Sequence, residues 1–341
     1  MTAGHLLRQR GIAFEILEAN SVYGGRIKTN NTFTNFPIPL GAEWLHVKPG
    51  VFDEIVNDSS IAVSVNTVGY NHWNDWGLHD GEEITVIEAG FRKDRKFIGS
   101  SWLNFYETYI LPSVQGNIRY NQQVSAIDYE GSKVKVTASG TTYEADRVIF
   151  TAPVKILQSG SISFTPALPR HKTDAIAETN VWDGCKAFIK FSKKFYATFT
   201  SYSDTPGRDG EQLYYDAAYG QSTTDNIVGM FAVGTGATPY LQRASSGNDL
   251  INYMLAELDA TYDNQATPAY IDHIFQNWQN EPFAQAAYVS DNVGWRNVAA
   301  MGESVNSKLY FAGDAYTTGN DWGSVHAAAR SAIRAVDEMT A

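Results

Sequence analysis

The opening stretch, MTAGHLLRQRGIAFEILEANSVYGGR, restricts the fold more than any other part of the chain. AGHLLRQRG has helical character and closes on Gly11, the residue type that most readily ends a helix in the left-handed region. IAFEILEA then reads as a buried strand, with Ile12, Phe14 and Ile16 on one side and Ala13 and Leu17 on the other. Glu18 falls where that strand ends. A helix followed by a strand ending in an acid is the second half of a βαβ dinucleotide unit, whose acid accepts hydrogen bonds from a ribose hydroxyl. The first half would hold a strand and the glycine-rich turn that receives a pyrophosphate. Met1 fits the helix interior just past that turn, so the expectation is that roughly 20–30 residues of strand and turn are missing ahead of it.

Gly24 and Gly25 come next, and paired glycines let a backbone approach a ligand closely. Arg26 beside them can meet a phosphate or a ring edge, although a tight turn with an exposed arginine has the same pattern.

Further along, QVSAIDY, KVKVTAS and DRVIFTAP read as a β-meander over residues 117–152, linked by EGS and SGTTYEA. KAFIKFSKKFY alternates with period two, as a strand does. Residues from about 240 to 262 are amphipathic and helical. VGMFAVGTGATPYL imitates a phosphate loop but lacks the third glycine, and Pro239 stands where the phosphate-binding helix would begin; it reads as a strand and turn. Near the end, Leu309 to Phe311 form an apolar strand running into Gly313 and Asp314, and a glycine-rich loop leads to an alanine-rich helix from Val325. That helix start offers unpaired N–H groups and partial positive charge to an electron-rich ring, and Ser324 fits an N-cap there.

Composition narrows the function classes. With 26 basic and 37 acidic residues the net charge is −11, which opposes nucleic-acid binding and suits either plain solubility or the concentration of a cationic substrate. The single cysteine, Cys185, excludes an internal disulfide framework and a cysteine-based metal cage, and the seven histidines show no ligand spacing, so no metal is expected. Aromatic residues make up 13% and cluster in stretches such as GYNHWNDWG; most must be core, and some could line a pocket. No apolar run approaches the roughly 18 residues of a membrane span. The expectation is therefore a soluble protein, with no signal peptide visible in this chain and the compartment and oligomeric state left open.

ILEANSVYGGRIKT, LGAEWLH, DRVIFTAP, CKAFIKF and LYFAGDAYTTGNDWGSVHAAARSA occur in that order across nearly the whole chain. Together they resemble the flavin-containing amine oxidases, particularly the polyamine oxidase branch, lacking the first strand and GxGxxG turn. The resemblance implies an α/β fold: an FAD-binding Rossmann-like domain, N-terminally truncated, with a substrate domain of mixed sheet and helices. The implied cofactor domain is discontinuous, 1–60, 117–155 and 290–341; the implied substrate domain comprises 61–116 and 156–289. Residues 76–100 are short for the family's helical substrate region.

By the same resemblance Glu18 is the ribose-binding acid, and Gly24, Gly25 and Arg26 contact the flavin. Gly41, Ala42, Glu43 and Trp44 of LGAEWLH join the cofactor set. Val124 meets the adenine through its backbone, Gly313 and Asp314 lie near the ribityl–pyrophosphate region, and Val325, after Ser324, turns its N–H to the flavin pyrimidine. Lys186 matches the lysine that holds a water against the reactive flavin nitrogen, and its setting among apolar residues suggests partial burial. Trp278 and Tyr288 match rings enclosing the substrate amine; Ser324 replaces the opposite cage tyrosine, leaving Trp322 to compensate. His46 matches an active-site histidine of polyamine-oxidising relatives.

Cys185 lies outside the motif of a covalent flavin link, so non-covalent FAD is expected. The implied reaction transfers hydride from a primary or secondary amine to FAD, giving an imine, while oxygen is reduced to hydrogen peroxide. Rival readings are a relative that has lost FAD and acts as a binding protein, or another flavoenzyme of the fold, such as a desaturase or protoporphyrinogen oxidase. Without the glycine-rich turn, weak FAD binding is the expectation.

Overall fold

A computed structural model describes residues 1–70, 76–79, 84–86, 94–202 and 209–341. Most of the GYNHWNDWG cluster and part of the segment from 76 to 100 lie outside the described residues. Among those described, no helix is long and apolar enough to cross a membrane.

The first helix, Thr2–Gln9, buries Leu6 and Leu7 against the last, Val325–Thr340, in a cluster with Tyr310, Ala312, Ala332, Ala335, Val336 and Met339. Arg10 ties the two together through the Val336 carbonyl (3.2 Å) and Asp337. Gly11 takes the expected left-handed backbone just beyond the helix. The strand that follows is shorter than its apolar pattern suggests: only Ile16–Leu17 pair, in parallel, with Ile118–Arg119, and Ile12 is exposed. Residues 12–15 have no ladder partner, and strand propensity without a neighbour does not make a strand.

Val124–Asp128, Val134–Ala138 and Thr141–Ala145 form an antiparallel meander, with Ser163–Thr165 parallel on its edge. Two sequence expectations are corrected here. The supposed linker SGTTYEA supplies the third strand, and DRVIF leaves the meander, because Val148–Phe150 pairs in parallel with Leu309–Phe311. All three residues of the latter strand are buried, so an apolar partner gains more there than at the solvated edge beside Thr141–Ala145.

The largest sheet runs Tyr270–Asn277, Gly184–Phe191, Asn226–Gly234, Gly210–Asp216, Phe199–Tyr202, Trp76–His79, Ile84–Val86. Helix Asp249–Thr261 covers one face with Leu250, Ile251, Met254, Leu255 and Leu258, packed against Cys185, Ala187 and Ile189. The period-two alternation of that strand sends Lys186 and Phe188 to the other face. There Phe188 joins Phe36, Ile38, Trp44, Tyr70 and Tyr215. Gly229 makes this face possible: a Cβ there would lie 2.3 Å from Cζ of Tyr215, so only glycine lets that ring lie against the strand. The GTG decoy is the end of strand Asn226–Gly234 and the turn after it.

Candidate active site

One cavity of about 810 Å³ lies between the helix pair and the largest sheet, within the roughly 300–1,000 Å³ of small-molecule sites. Glu18, Gly24, Gly25, Arg26, Gly41, Ala42, Glu43, Trp44, His46, Val124, Lys186, Trp278, Tyr288, Gly313, Asp314, Ser324 and Val325 all line it. Tertiary structure thus brings together every candidate drawn from the sequence.

At one end stand Met1, Thr2 and Ala3, where helix Thr2–Gln9 begins, with Glu18 and Val124. Glu18 Oε1 accepts from the Asn20 N–H at 2.8 Å, and burial raises its pKa against the pull of backbone donors. Val124 opens the first meander strand, with its side chain half-buried. The first turns of the two helices put unpaired N–H groups near the wall, a setting suited to anionic and electron-rich groups.

The middle is knitted by Arg26. Its guanidinium grips Asp314 with two bonds, 2.6 and 3.2 Å, and donates to the Ala287 carbonyl at 2.6 Å, fixing the backbone next to Tyr288. The Arg26 carbonyl accepts from Ala42 N–H at 3.0 Å. A Cβ on Gly41 would fall 1.9 Å from that carbonyl oxygen and 2.9 Å from the Trp278 ring, so glycine alone allows the two segments to touch. Trp278 is buried and held by a 3.0 Å bond from Nε1 to the Leu40 carbonyl. Gly313 N–H donates to Ser331 Oγ at 2.8 Å, tying the strand end to the last helix. Ser324 is the N-cap of that helix, accepting from Ala327 N–H at 3.2 Å, and Val325 is its first residue.

Lys186 is 3% exposed, more deeply buried than its sequence context suggests. Its Nζ reaches Glu43 Oε2 at 2.6 Å, the Gly41 carbonyl at 3.1 Å and the Pro39 carbonyl at 3.2 Å. These three acceptors match the three N–H donors of an ammonium. On the other side of the same carboxylate, Lys96 Nζ lies 3.0 Å from Glu43 Oε1 and 2.6 Å from the Ala217 carbonyl. The Tyr215 hydroxyl also donates to Glu43 Oε2. Burial pushes the Glu43 carboxyl up, but the two ammoniums outweigh it and leave the pKa at about 2. Burial lowers the Lys186 ammonium against the pull of Glu43, and drives the Tyr215 hydroxyl far up.

Tyr288, half-buried, meets Trp182 edge-on at 5.8 Å and lies nearly parallel to Phe231 at 6.5 Å. Burial raises its hydroxyl pKa, aided by Glu211 and Asp291. Trp322 lines the same cavity, its Nε1 donating to the Ser290 carbonyl at 3.3 Å.

Beside the start of the last helix, two histidine–aspartate pairs each join a half-exposed member to a buried one. His46 Nδ1 lies 3.0 Å from Asp94 Oδ1, and the His46 ring is 6.5 Å from that of His326. His326 Nε2 lies 2.5 Å from Asp321 Oδ2. A carboxylate only accepts, so both imidazoles donate here. Lys96, Tyr215, Asp94, Asp321 and His326 are contributors that sequence reasoning missed. Lys96 shows only as a lysine in a short RKF strand; His326, in the first turn of a recognised helix, had a visible signal.

The profile of the family described as flavin containing amine oxidoreductase matches residues 106–340, and that of an NAD(P)-binding Rossmann-like domain matches residues 1–57. Polyamine oxidase 4 of Oryza sativa subsp. japonica is 28% identical over 268 residues, covering 77% of this chain and 53% of that protein. Lysine-specific histone demethylase 2 of Homo sapiens is 25% identical over 206 residues, 58% of this chain and 25% of that protein. The chain therefore spans about half, or less, of these relatives' length. A solved putrescine oxidase redesigned in its cofactor binding shares the fold at TM-score 0.80 and 14% identity, covering 99% of this chain and 96% of that one. The wild-type putrescine oxidase bound to putrescine gives 0.77 at 14% identity over the same shares. Flavin is the cofactor class these matches imply, and the cavity has the size and the paired helix starts for it. By its sequence and its fold, this chain belongs to the flavin containing amine oxidoreductase family.

Proposed function

We propose that the cavity holds FAD without a covalent bond and that the chain oxidises a primary or secondary amine, a polyamine among the candidates, to an imine. The carrying observation is that one cavity is lined by Glu18, the starts of both helices, Lys186, Trp278, Tyr288 and the acids around His46. Glu18 and the start of helix Thr2–Gln9 would hold the ribose and diphosphate, Arg26 and Asp314 the central portion, and Val325, at the start of the last helix, the ring. The same course supports dividing the chain into a cofactor part, 1–60, 117–155 and 290–341, and a substrate part, 61–116 and 156–289. Cys185 supports non-covalent binding, because burial raises its thiol pKa and leaves little nucleophilic thiolate.

When bound, FAD supplies a two-electron acceptor for hydride from the carbon beside the amine nitrogen, and oxygen removes those electrons as hydrogen peroxide. The protein's part is binding, orientation and protons. Asp94, Asp291 and Asp321 along one end favour entry of an ammonium. That ammonium must lose a proton before its carbon gives up hydride. His46 is placed to take it at Nε2, since Nδ1–H is committed to Asp94. Tyr288 and Trp278 then flank the neutral amine and keep water off the reacting carbon.

Titration with FAD, read by flavin fluorescence, and peroxide release with a panel of mono-, di- and polyamines test this reading. Binding with amine-dependent peroxide supports it. A folded chain that takes up no FAD overturns it in favour of a cofactor-free binding protein, and FAD binding with no amine oxidised points to another flavoenzyme of the fold.

A further inference from the structure

Two buried lysines share one buried carboxylate. Lys96, Lys186 and Glu43 are each 4% exposed or less, so three charges that sum to +1 sit in a dry layer at the cavity wall. An uncompensated cation in such a place is expensive, and the inexpensive remedy is loss of one proton. The two lysines are not equivalent. Lys186 and Glu43 line the cavity, whereas Lys96 stands behind them, held by the Ala217 and Asp216 carbonyls at 2.6 and 3.5 Å.

We propose that Lys96 is a positioning residue: by holding half of the Glu43 carboxylate from behind the wall, it makes Lys186 the member of the triad that releases its proton to cavity water and takes it back. A protonated Lys186 has its three donors committed to Pro39, Gly41 and Glu43 and offers the cavity nothing. The neutral amine keeps two N–H groups and gains a lone pair, which can accept a hydrogen bond from water in the cavity. This refines the water-holding role expected for Lys186: the water is held when the lysine is neutral, and Lys96 makes that form accessible. The groups facing Lys186 are Glu43 from the segment after Leu40, Lys96 from strand Arg95–Phe97 and Tyr215 from strand Gly210–Asp216. The Trp44 and Phe188 rings lie 5.2 and 5.4 Å from its Nζ, and the Tyr70 hydroxyl stands behind Trp44 at 3.0 Å from Nε1. Burial is the leading cause lowering the Lys186 pKa, and the like charge of Lys96 acts in the same direction.

The inference rests on the amine-oxidase reading only for what the cavity holds, and its test needs neither cofactor nor amine. Lysines labelled with 13C at Cε are titrated by NMR in the chain as it stands, with the Lys186 signal identified by its loss in Lys186→Arg. The Lys186 midpoint should lie below those of the surface lysines. Lys96→Met should raise it by about one unit or more, since a like charge within hydrogen-bonding range of the same carboxylate is removed. Lys96→Arg should leave it nearly in place, and Glu43→Gln should lower it further. A Lys186 that titrates with the surface lysines, or is unmoved in a folded Lys96→Met, overturns the proposal. If Lys96→Met does not fold, an unmoved midpoint in Glu43→Gln overturns it instead. Failure of amine oxidation with these shifts intact would refute the functional reading and leave the triad standing.

Discussion

The two charged groups at the cavity wall put carboxylates and basic side chains to opposite effect. Around Glu43, a carboxylate and two ammoniums are almost entirely excluded from water, and every donor of Lys186 is matched to a protein acceptor. Around His46, each ion pair joins an open member to a buried one: side-chain exposure is 45% for His46 against 12% for Asp94, and 47% for Asp321 against 3% for His326. Buried charge is committed: removing one member strands the others in a low dielectric, so the group fixes the geometry of the segments that meet there. Half-exposed charge contributes little to stability and remains free to trade its water for a ligand. The cavity wall is therefore rigid around Glu43 and more adaptable at the open members of the His46 and Asp321 pairs.

The sharpest way to break this contrast is Glu43→Gln. It takes the anion away from two buried lysines and should cost about 3–5 kcal/mol in urea unfolding, as breaking buried ion pairs does, with release of the Lys186 proton setting the cost toward the lower figure. A loss under 1 kcal/mol would mean that water reaches the triad.

The next effect is in pH. The folded Glu43 carboxyl sits at about 2, below its ordinary value near 4.5, so its stabilisation is complete above the ordinary value and is lost as pH falls toward 2. A difference of that size corresponds to about 3 kcal/mol. Melting curves from pH 6 to 2 should therefore show the wild type converging on Glu43→Gln in that window. Parallel curves would place the charge contribution elsewhere.

Tyr288→Ala sharpens the comparison from the substrate side. The ring is only half-buried, so it should cost less stability than a core truncation while lowering kcat/KM for amine by roughly tenfold to a hundredfold through lost orientation. Thermal melting run beside the peroxide assay checks this; a large fall in Tm with normal specific activity would make the ring a core element.

The smallest expected effect is at the exposed end. Asp321→Asn keeps an oxygen that accepts from the buried His326 Nε2, so it should change stability by less than about 1 kcal/mol. It should nonetheless raise KM for a cationic amine, and the difference from wild type should shrink as salt is added. Equal KM values at low salt would remove this end from substrate capture.

Local chemistry made some parts of this molecule legible from residue order alone. Ser324 followed by an alanine-rich run specifies a capped helix, the apolar Leu309–Phe311 run specifies a buried strand, and alternation along Gly184–Phe191 puts Lys186 opposite Cys185. In each case the deciding interactions fall within one or two turns or along one strand, so periodicity and capping suffice. The family motifs extended that reach to all the candidates on the cavity wall, because shared motifs carry spatial information that one chain's periodicity does not. Other features depended on segments distant in the chain. Thr141–Ala145 and Val148–Phe150 have similar strand character, yet one stays in the meander and the other crosses to Leu309–Phe311. Nothing local marks Lys96 as the partner of Glu43, 53 residues away, or Glu43 as the partner of Lys186, 143 residues on. Which strand neighbours which, and which charges share a carboxylate, is decided only when apolar faces collapse and every buried polar atom must find a partner within reach. The sequence alone determined the family's motifs, the capped last helix, the buried strand before it and the faces of the strand carrying Lys186; the tertiary structure decided which strands form and pair, which charges are dry, and hence which lysine can hold or release a proton at the cavity wall.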